Sequence, residues 1–356
     1  MILQRYIGLS VIGGWVLVLA VIGAVFGLVT FIEQLERVGG PYDALAASWY
    51  TLRMLPNQLV SLAPVIALLG TILALANLDR HKELTIISAA GFGRGKLLAS
   101  VLIPTLLLMG ALWVAMEYAT PQLQRAAEQE KLRLRHGDTD RIPNGGLWST
   151  DGRRYMHLWT LSEDGVPGKI SLFEFDREGR LVRALQARQA LVRQDRSWLF
   201  QNVREKILVD GELRTRHHEE LEIDNLWSPD ELPNLSLEGD TMNLSLLYEY
   251  TRYLQSNRQP AERYLHTLWQ KLFMPFTVLA MVLLATPLSA NVTAGRDRSL
   301  GLNIGIGALV GVVFYLGAQI IFALGRLLDW SIPLVAGLPA LIILTVALTL
   351  LSRMRW

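Results

Sequence analysis

The chain contains no cysteine, so no disulfide can stabilise a part of it that lies outside a membrane. It also has little net charge, because 34 Lys and Arg residues nearly balance 32 Asp and Glu residues and leave a formal charge of +2. A chain without a basic excess lacks the bulk electrostatics that favour binding to phosphate backbones. The composition therefore indicates no nucleic-acid partner.

Ionisable residues are absent from six long stretches, and this absence is the strongest signal in the sequence. About 20 apolar residues of helix cross the hydrocarbon core of a bilayer, and each stretch has at least 20 residues without Asp, Glu, Lys, Arg or His. The first stretch is too long for a signal peptide and is interpreted as a retained anchor. The sequence predicts an α-helical membrane protein with six transmembrane helices arranged 3+3. The six stretches are Tyr6–Ile32, Met54–Leu78, Leu97–Met116, Leu272–Gly295, Ser299–Gly325 and Trp330–Ser352.

Basic residues near the ends of these stretches predict the orientation, since cytoplasmic loops carry an excess of Lys and Arg. With the N-terminus inside, the short outer loops contain only Arg37, Arg53 and Arg326. Both termini are then cytoplasmic, and the long segment between the third and fourth spans lies outside. The cytoplasmic side contains Arg5, Arg80, Lys82, Arg94, Lys96, Arg296, Arg298, Arg353 and Arg355.

The outer segment, residues 121–265, differs in composition from the membrane regions at 1–120 and 266–356. Short alternating segments separated by glycine-containing turns predict an antiparallel β sandwich or open barrel. A charged helix, Gln122–Arg135, precedes these segments, and a helix at Leu244–Ser256 follows them. The predicted strands are Arg153–Thr160, Lys169–Asp176, Arg180–Arg193, Ser197–Val209 and Glu212–Asp224, with Trp148, Trp159, Phe173, Phe175, Trp198 and Phe200 as core aromatics.

No motif in the sequence indicates an enzyme or a cofactor. The run Gly91–Leu97 superficially suggests a phosphate-binding loop, but its spacing is one residue short and Leu97 replaces the required Ser or Thr. The adjacent His217 and His218 would point to opposite faces of a strand, and without cysteine a zinc site is not expected. We therefore predict no catalytic residue, no metal and no cofactor.

The polar stretch Leu78–Lys96, which interrupts two apolar runs, carries the main functional hypothesis. Leu84, Ile87, Ala90 and Gly91 recur at helical spacing, which favours a short amphipathic helix over about 82–91. A linker with basic anchors is the alternative that periodicity alone leaves open. Ion-coupled transporters usually place ionisable residues at mid-membrane, and these spans have none. Energy would then come from a separate ATPase, and this helix is the cytoplasmic element that could contact it.

Several segments in the same order resemble the lipopolysaccharide export permeases of the LptF/LptG family, and the G-type subunit more than the F-type. The resemblance covers essentially the whole chain, including the 3+3 spans and the outer domain between spans three and four. The segments that carry it are Arg5-Tyr6-Ile7-Gly8, Glu33-Gln34-Leu35, Tyr42-Asp43-Ala44-Leu45, Tyr50-Thr51-Leu52, Glu83-Leu84, Ala90-Gly91-Phe92 and Gly146-Leu147-Trp148.

The resemblance implies a non-enzymatic permease subunit in the bacterial inner membrane with a periplasmic β-jellyroll. It implies three protein partners: a homodimeric ABC ATPase at the cytoplasmic face, an F-type permease, and a single-span C-type subunit beside span one. Lipopolysaccharide would be extracted from the outer leaflet of the inner membrane and passed to a periplasmic bridge. In this family the coupling-helix glutamate contacts the ATPase, and Glu83 matches it, with Leu84, Ile87, Ala90 and Gly91 completing the coupling helix.

The family also uses basic residues at the outer end of span one against lipid A phosphates. Arg37 matches one such position, whereas Thr30 and Glu36 occupy two others, so the basic cluster is thinner here. Phe26, Phe31 and Glu33 belong to the same expected lipid site. Two further functions stay open on the residues alone: a membrane assembly or regulatory subunit, and an ABC permease for lipoproteins or peptides. The latter would be favoured by a mixed α/β outer domain.

Overall fold

The structure is a computed structural model that describes residues 2–136, 147–150, 154–161, 166–176, 178, 180–193, 197–209, 212–224, 226, 241–256, 261–291 and 300–353. The helices are α1 (Ile2–Leu35), α2 (Ala44–Ser61), α3 (Ala63–Arg80), α4 (Glu83–Ala89), α5 (Arg94–Val114), a π-helical turn (Ala115–Ala119), α6 (Thr120–His136), α7 (Leu244–Ser256), α8 (Glu262–Asn291), α9 (Leu300–Leu327) and α10 (Ile332–Arg353). The strands are β1 (Leu147–Thr150), β2 (Arg154–Leu161), β3 (Pro167–Phe175), β4 (Leu181–Val192), β5 (Trp198–Val209) and β6 (Glu212–Ile223).

Six helical segments in the described ranges are long and apolar enough to cross a membrane. Three of them precede the strands and three follow, so the prediction of 3+3 membrane helices with a separate β domain is confirmed. The segments are Ile2–Leu35, Ala63–Arg80, Arg94–Lys131, Glu262–Ser289, Ile304–Leu327 and Ile332–Arg353.

The second span differs from its sequence prediction in where it begins. The uncharged run Met54–Leu78 suggests one helix kinked at Pro64, but the chain forms two helices, α2 and α3, that meet at Leu62. Pro64 lies in the first turn of α3, where its missing N–H removes no helical hydrogen bond. The proline therefore starts a new helix, and α2 remains a separate element on the predicted outer side.

The third span continues beyond its predicted end near residue 117. Helix α5 runs through the π-helical turn into α6, so one helical rod extends from Arg94 to His136. Such turns insert an extra residue into an α-helix and are often found at functional positions. The helix predicted at Gln122–Arg135 is therefore the C-terminal part of this rod, α6.

The backbones of helices α1 and α3 are in direct contact, with almost no side chain between them. A Cβ atom on Gly14 would overlap the carbonyl oxygen of Gly70, so only glycine allows this approach. The adjacent Trp15 donates hydrogen bonds from Nε1 to the Ala67 carbonyl at 3.1 Å and to the Thr71 hydroxyl at 2.9 Å. Small residues permit such backbone contact between helices in lipid. Helix α1 is thereby fixed to the bundle near its middle.

Two of the many glycines in α9 serve the same purpose. A Cβ atom on Gly307 would lie 2.8 Å from Ile72 Cδ1, and one on Gly311 would lie 3.1 Å from Val65 Cγ1. Their spacing of four residues places both on the face of α9 that contacts α3. At Gly317 the same atom would meet no described heavy atom within 4 Å. The glycine-rich sequence of the fifth span thus contains one tightly packed pair and other positions that are open.

The described strands between the third and fourth spans form one antiparallel sheet, in which each strand pairs with the next one in the chain, in the order β1-β2-β3-β4-β5-β6. The five predicted strands agree with β2 to β6 to within two residues at each end. Strand β1 has only 4 residues, too few for an alternating pattern to be recognised in the sequence.

The aromatic core of this sheet is smaller than predicted. Trp198 and Phe200 are fully buried, with ring centroids 5.7 Å apart. The prediction for Trp159 is wrong, because its side chain is 51% exposed while the neighbouring Leu158 is buried. Successive residues of a strand face opposite sides of the sheet, so Leu158 takes the core position and turns Trp159 outward. Phe173 and Phe175 are half-buried, and the side chain of Trp148 lies outside the described part.

A ladder of alternating charges crosses the sheet on the face that also carries its apolar core. Arg154 of β2 lies 3.5 Å from Glu174 of β3, which lies 3.8 Å from Arg183 of β4. Arg183 also pairs with the buried Glu205 of β5, and His218 Nε2 of β6 lies 2.8 Å from the second oxygen of Glu205. These pairs link five strands and satisfy a carboxylate that would be costly to bury alone.

Candidate functional site

The predicted coupling helix exists as α4, a helix of 7 residues between the second and third spans. It begins after Lys82, whose φ of 58° is left-handed, and Glu83 occupies its first turn. Gly91 has φ of 80°, and its N–H donates to the Ser88 carbonyl at 3.0 Å. Glycine adopts this conformation without the Cβ penalty of other residues, so it ends the helix here. Ala90 and Gly91 therefore form the end of α4 and are not part of its body.

The two sides of α4 have different surroundings. Leu84 and Ile87 are buried in a cluster that includes Ile7 of α1 and Leu97 of α5. Ile86, on the other side, is 66% exposed. Of the five residues predicted for coupling, Leu84 and Ile87 thus hold the helix against the chain's own spans. Glu83 is half-buried, and Ala90 and Gly91 are exposed.

Glu83 has a partner that its position in the sequence does not reveal. The hydroxyl of Tyr6, near the start of α1, donates a hydrogen bond of 2.8 Å to Glu83 Oε2, across 77 residues of sequence. Oε1 accepts no hydrogen bond from the described residues. The side chain is therefore held at one oxygen and can accept a donor at the other.

The four residues predicted to bind lipid lie at the opposite end of α1, but they do not share one surface. Phe26 and Glu33 are exposed and seven residues apart, which places them on one side of the helix. Phe31 is half-buried and points about 140° away from Phe26 at 3.6 residues per turn. Arg37 is exposed in the turn that follows the end of α1 at Leu35. A ligand that contacts Phe26, Glu33 and Arg37 would therefore approach the side of α1 that faces away from the rest of the helix bundle.

A cleft of about 150 Å³ lies beside this end of α1, between α2 and α6. Lys131 Nζ stands 4.4 Å from the centroid of the Tyr50 ring, a cation–π distance. Burial, followed by the charge of Glu128, raises the pKa of Tyr50 to about 12. The Tyr50 hydroxyl is therefore a hydrogen-bond donor at neutral pH. The cleft is lined by Tyr42, Ala46, Trp49, Tyr50, Arg53, Ala127, Glu130 and Lys131.

Sequence reasoning assigned Arg53 only to an outer loop and gave Lys131 no role. The structure places both in this cleft, and the charges of Arg37 and Glu33 influence the Tyr50 hydroxyl at its edge. The sequence did indicate that Arg37, Arg53 and Lys131 all lie on the predicted outer side. Their grouping depends on α2 packing against α6, which no local pattern encodes. Within the described part of the chain, no group of three or more His, Cys, Asp or Glu residues is arranged to hold a metal ion.

Comparison with known proteins gives a consistent result along the whole chain. Residues 5–353 match the family described as lipopolysaccharide export system permease LptF/LptG. The chain is 30% identical over 358 residues to the lipopolysaccharide export system permease protein LptG of Haemophilus influenzae, with 99% of each chain covered. It is 31% identical over 363 residues to LptG of Escherichia coli K12, covering 99% of this chain and 98% of that relative.

Proposed function

Because this chain belongs to the lipopolysaccharide export permease LptF/LptG family, we propose that it is the G-type subunit of an ATP-driven exporter that extracts lipopolysaccharide from the inner membrane and passes it to a periplasmic bridge. Membership makes the chain a multi-pass permease of lipopolysaccharide export. The energy source, the extraction step, the partners and the roles of single residues are the proposed part.

The geometry of α4 is the observation that carries the proposed ATP coupling. Its buried side fixes it to α1, α3 and α5 through Leu84 and Ile87, while Ile86 is exposed and Glu83 is half-buried. A partner that pushes on the accessible side therefore moves the ends of the attached spans with it. The six apolar stretches of the sequence contain no Asp, Glu, Lys, Arg or His, whereas ion-coupled carriers usually place such residues at mid-membrane. A homodimeric ABC ATPase at the cytoplasmic face is therefore the proposed source of energy.

The two membrane helices with the least internal packing are the proposed partner surfaces. Leu17 and Leu28 of α1 and Val313 and Leu316 of α9 are each more than half exposed in this chain. In the assembled exporter an F-type permease and the span of a C-type subunit would cover part of these helices. Lipopolysaccharide acyl chains would enter the space that remains between the two permeases.

The outer end of α1 and the neighbouring cleft form the proposed lipid site. Arg37, Arg53 and Lys131 supply positive charge on three adjoining elements, which offsets the thin basic cluster on α1 itself. Phosphate groups of the lipid would contact these cations, and Phe26 and Phe31 would contact its acyl chains. The β domain would then receive the lipid. The described strands of this domain form an antiparallel sheet, whereas a mixed α/β domain would favour a lipoprotein or peptide permease.

The proposal is tested by isolating the chain from native membranes and identifying what co-purifies with it. We expect an ABC-class ATPase, a second permease and a single-span protein, with ATP hydrolysis that responds to added lipopolysaccharide. Transfer of lipopolysaccharide out of proteoliposomes should require ATP. Recovery of the chain with no ATPase would contradict the proposal and would favour the assembly or regulatory role.

The proposed orientation has its own test, which the absence of cysteine makes free of background labelling. Thr85→Cys reports on α4 and Gln186→Cys on the outer sheet, and both positions are exposed. In intact spheroplasts a membrane-impermeant maleimide should label Gln186→Cys alone. Labelling of Thr85→Cys alone would reverse the topology.

A further inference from the structure

We propose that Tyr6 is a positioning residue that holds the Glu83 carboxylate ready for the partner ATPase and joins α1 mechanically to α4. The inference rests on the proposed function, because it requires an ATPase that contacts α4. It adds a residue outside the coupling helix, on the span whose far end carries the proposed lipid site. The observation behind it is the 2.8 Å hydrogen bond from the Tyr6 hydroxyl to Glu83 Oε2.

The residues beside Tyr6 and Glu83 are anchored, so the hydrogen bond joins two fixed points. Ile7 is completely buried in the cluster that also contains Leu84 and Ile87. One residue further, a Cβ atom on Gly8 would be 3.2 Å from the Ser100 carbonyl of α5, so the start of α1 is tightly packed. Tyr6 itself is 45% exposed, and its hydroxyl reaches over this packed surface to Glu83.

The hydrogen bond orders the Glu83 side chain before any partner binds. A free glutamate must lose the freedom of its rotatable bonds when a partner's cation docks on it, and that loss weakens binding. With Oε2 held by Tyr6, Oε1 accepts no hydrogen bond from the described residues and can take a donor from a partner. Ordering one side chain in advance corresponds to about two- to thirteenfold in affinity.

The same bond gives a path from the ATPase to the lipid site. Helix α1 is continuous for 34 residues from Ile2 to Leu35, about 50 Å at 1.5 Å per residue. Tyr6 lies at its α4 end, Trp15 fixes its middle to α3, and Glu33 lies near its outer end. A displacement of Glu83 by the ATPase is therefore passed directly to the helix that carries the proposed lipid contacts.

The test measures binding of the ABC-class ATPase, purified from the wild-type complex, to the permease complex in nanodiscs. Tyr6→Phe removes only the hydroxyl and should weaken binding about three- to tenfold, chiefly through faster dissociation. Ser10→Ala is the matched control: it lies one turn later on α1, and its hydroxyl donates a hydrogen bond of 3.0 Å to the Tyr6 carbonyl and to no other described residue. This control should leave the affinity unchanged.

A general structural defect is separated from positioning by repeating the comparison in a Glu83→Ala background. There the hydroxyl has no carboxylate to orient, so Tyr6→Phe should change the affinity less than twofold. Equal affinity of wild type and Tyr6→Phe, or an undiminished effect in the Glu83→Ala background, overturns this inference and leaves the proposed function standing. If the wild-type complex yields no ATPase, or the purified ATPase does not bind it, both fail.

Discussion

Glu117, in the π-helical turn between α5 and α6, accepts two hydrogen bonds from Ser245 at the start of α7. The Ser245 hydroxyl donates to Oε1 at 2.6 Å and its backbone N–H donates to Oε2 at 3.3 Å. The carboxylate therefore occupies the N-terminus of α7, where negative charge is favoured by unpaired N–H groups and the helix dipole. This one side chain connects the rod leading out of the membrane to the first helix after the sheet.

Two cations hold the residues immediately before α7. Arg125 Nε of α6 donates to the Thr241 carbonyl at 3.1 Å, and Lys271 Nζ of α8 donates to the Met242 carbonyl at 2.7 Å. The chain leaving the β domain is thus bound to the helices on both sides of it.

Replacing Glu117 should loosen the junction without unfolding the spans. Glu117→Ala removes two hydrogen bonds at a helix N-terminus and should lower the free energy of local unfolding of α7 by about 1–2 kcal/mol. Hydrogen exchange in the first turn of α7 should accelerate accordingly. Gln122→Ala, an exposed position on the same rod, is the control and should leave that exchange unchanged. Unchanged protection in Glu117→Ala would mean that the contact does not stabilise α7.

The two tryptophans of the sheet should differ sharply in their contribution to stability. Trp198→Ala leaves a cavity in a fully buried core and should cost about 3–5 kcal/mol of unfolding free energy. Trp159→Ala removes an exposed ring and should cost less than about 1 kcal/mol. Both values can be checked by heating the whole chain in detergent and measuring the temperature at which the sheet loses its protection against protease. Equal effects would show that the assigned faces of β2 and β5 are wrong.

Acid should weaken the sheet through Glu205. Burial alone would raise the pKa of this carboxyl, but hydrogen bonds from His218 and Arg183 hold its pKa below the ordinary value. A depressed pKa adds stability that is present above the unfolded-state value near 4.3 and is lost as the pH falls through the folded-state value. We therefore expect the stability of the β domain to decline below about pH 4.

Glu205→Gln should remove this acid dependence. It should lower stability by about 1–3 kcal/mol at pH 7, because the Arg183 guanidinium loses its carboxylate partner, and by less at low pH, where Glu205 is itself protonated. Glu222→Gln is the control, since its pair with Arg193 is 2.7 Å long but roughly half exposed. An exposed pair contributes little, so that variant should follow the wild-type profile. Parallel pH profiles for all three proteins would contradict the role of Glu205.

Reversing the charge of Glu83 should separate coupling from folding. If Glu83 pairs with a basic residue of the ATPase, Glu83→Lys should cost about 2–5 kcal/mol of binding and release the ATPase from the purified complex. The permease itself should still insert and elute as a single species, because Leu84 and Ile87, which anchor α4, are untouched. Substituting an acidic residue for the contacting base of the ATPase should restore part of the binding. Full ATPase retention and export in Glu83→Lys would refute the coupling role.

Most elements of this protein could be predicted from the sequence, since their signals are local. Runs without ionisable residues gave the six spans, and alternation between turns placed β2 to β6 to within two residues. The spacing of Leu84 and Ile87 indicated the helix α4, since residues three apart share one side of a helix. Family resemblance, which depends on the order of many short segments, gave lipopolysaccharide export.

Contacts between residues that are distant in the sequence could not be predicted from it. The Tyr6–Glu83 hydrogen bond joins positions 77 residues apart, and the cleft containing Arg53 and Lys131 exists only because α2 packs on α6. The outward turn of Trp159 likewise follows from the register of the sheet. Local periodicity tells which residues share a face of their own element, but it contains no information about the element that this face will contact. Distant contacts are set by packing of the whole chain, and at these contacts the candidate sites are formed.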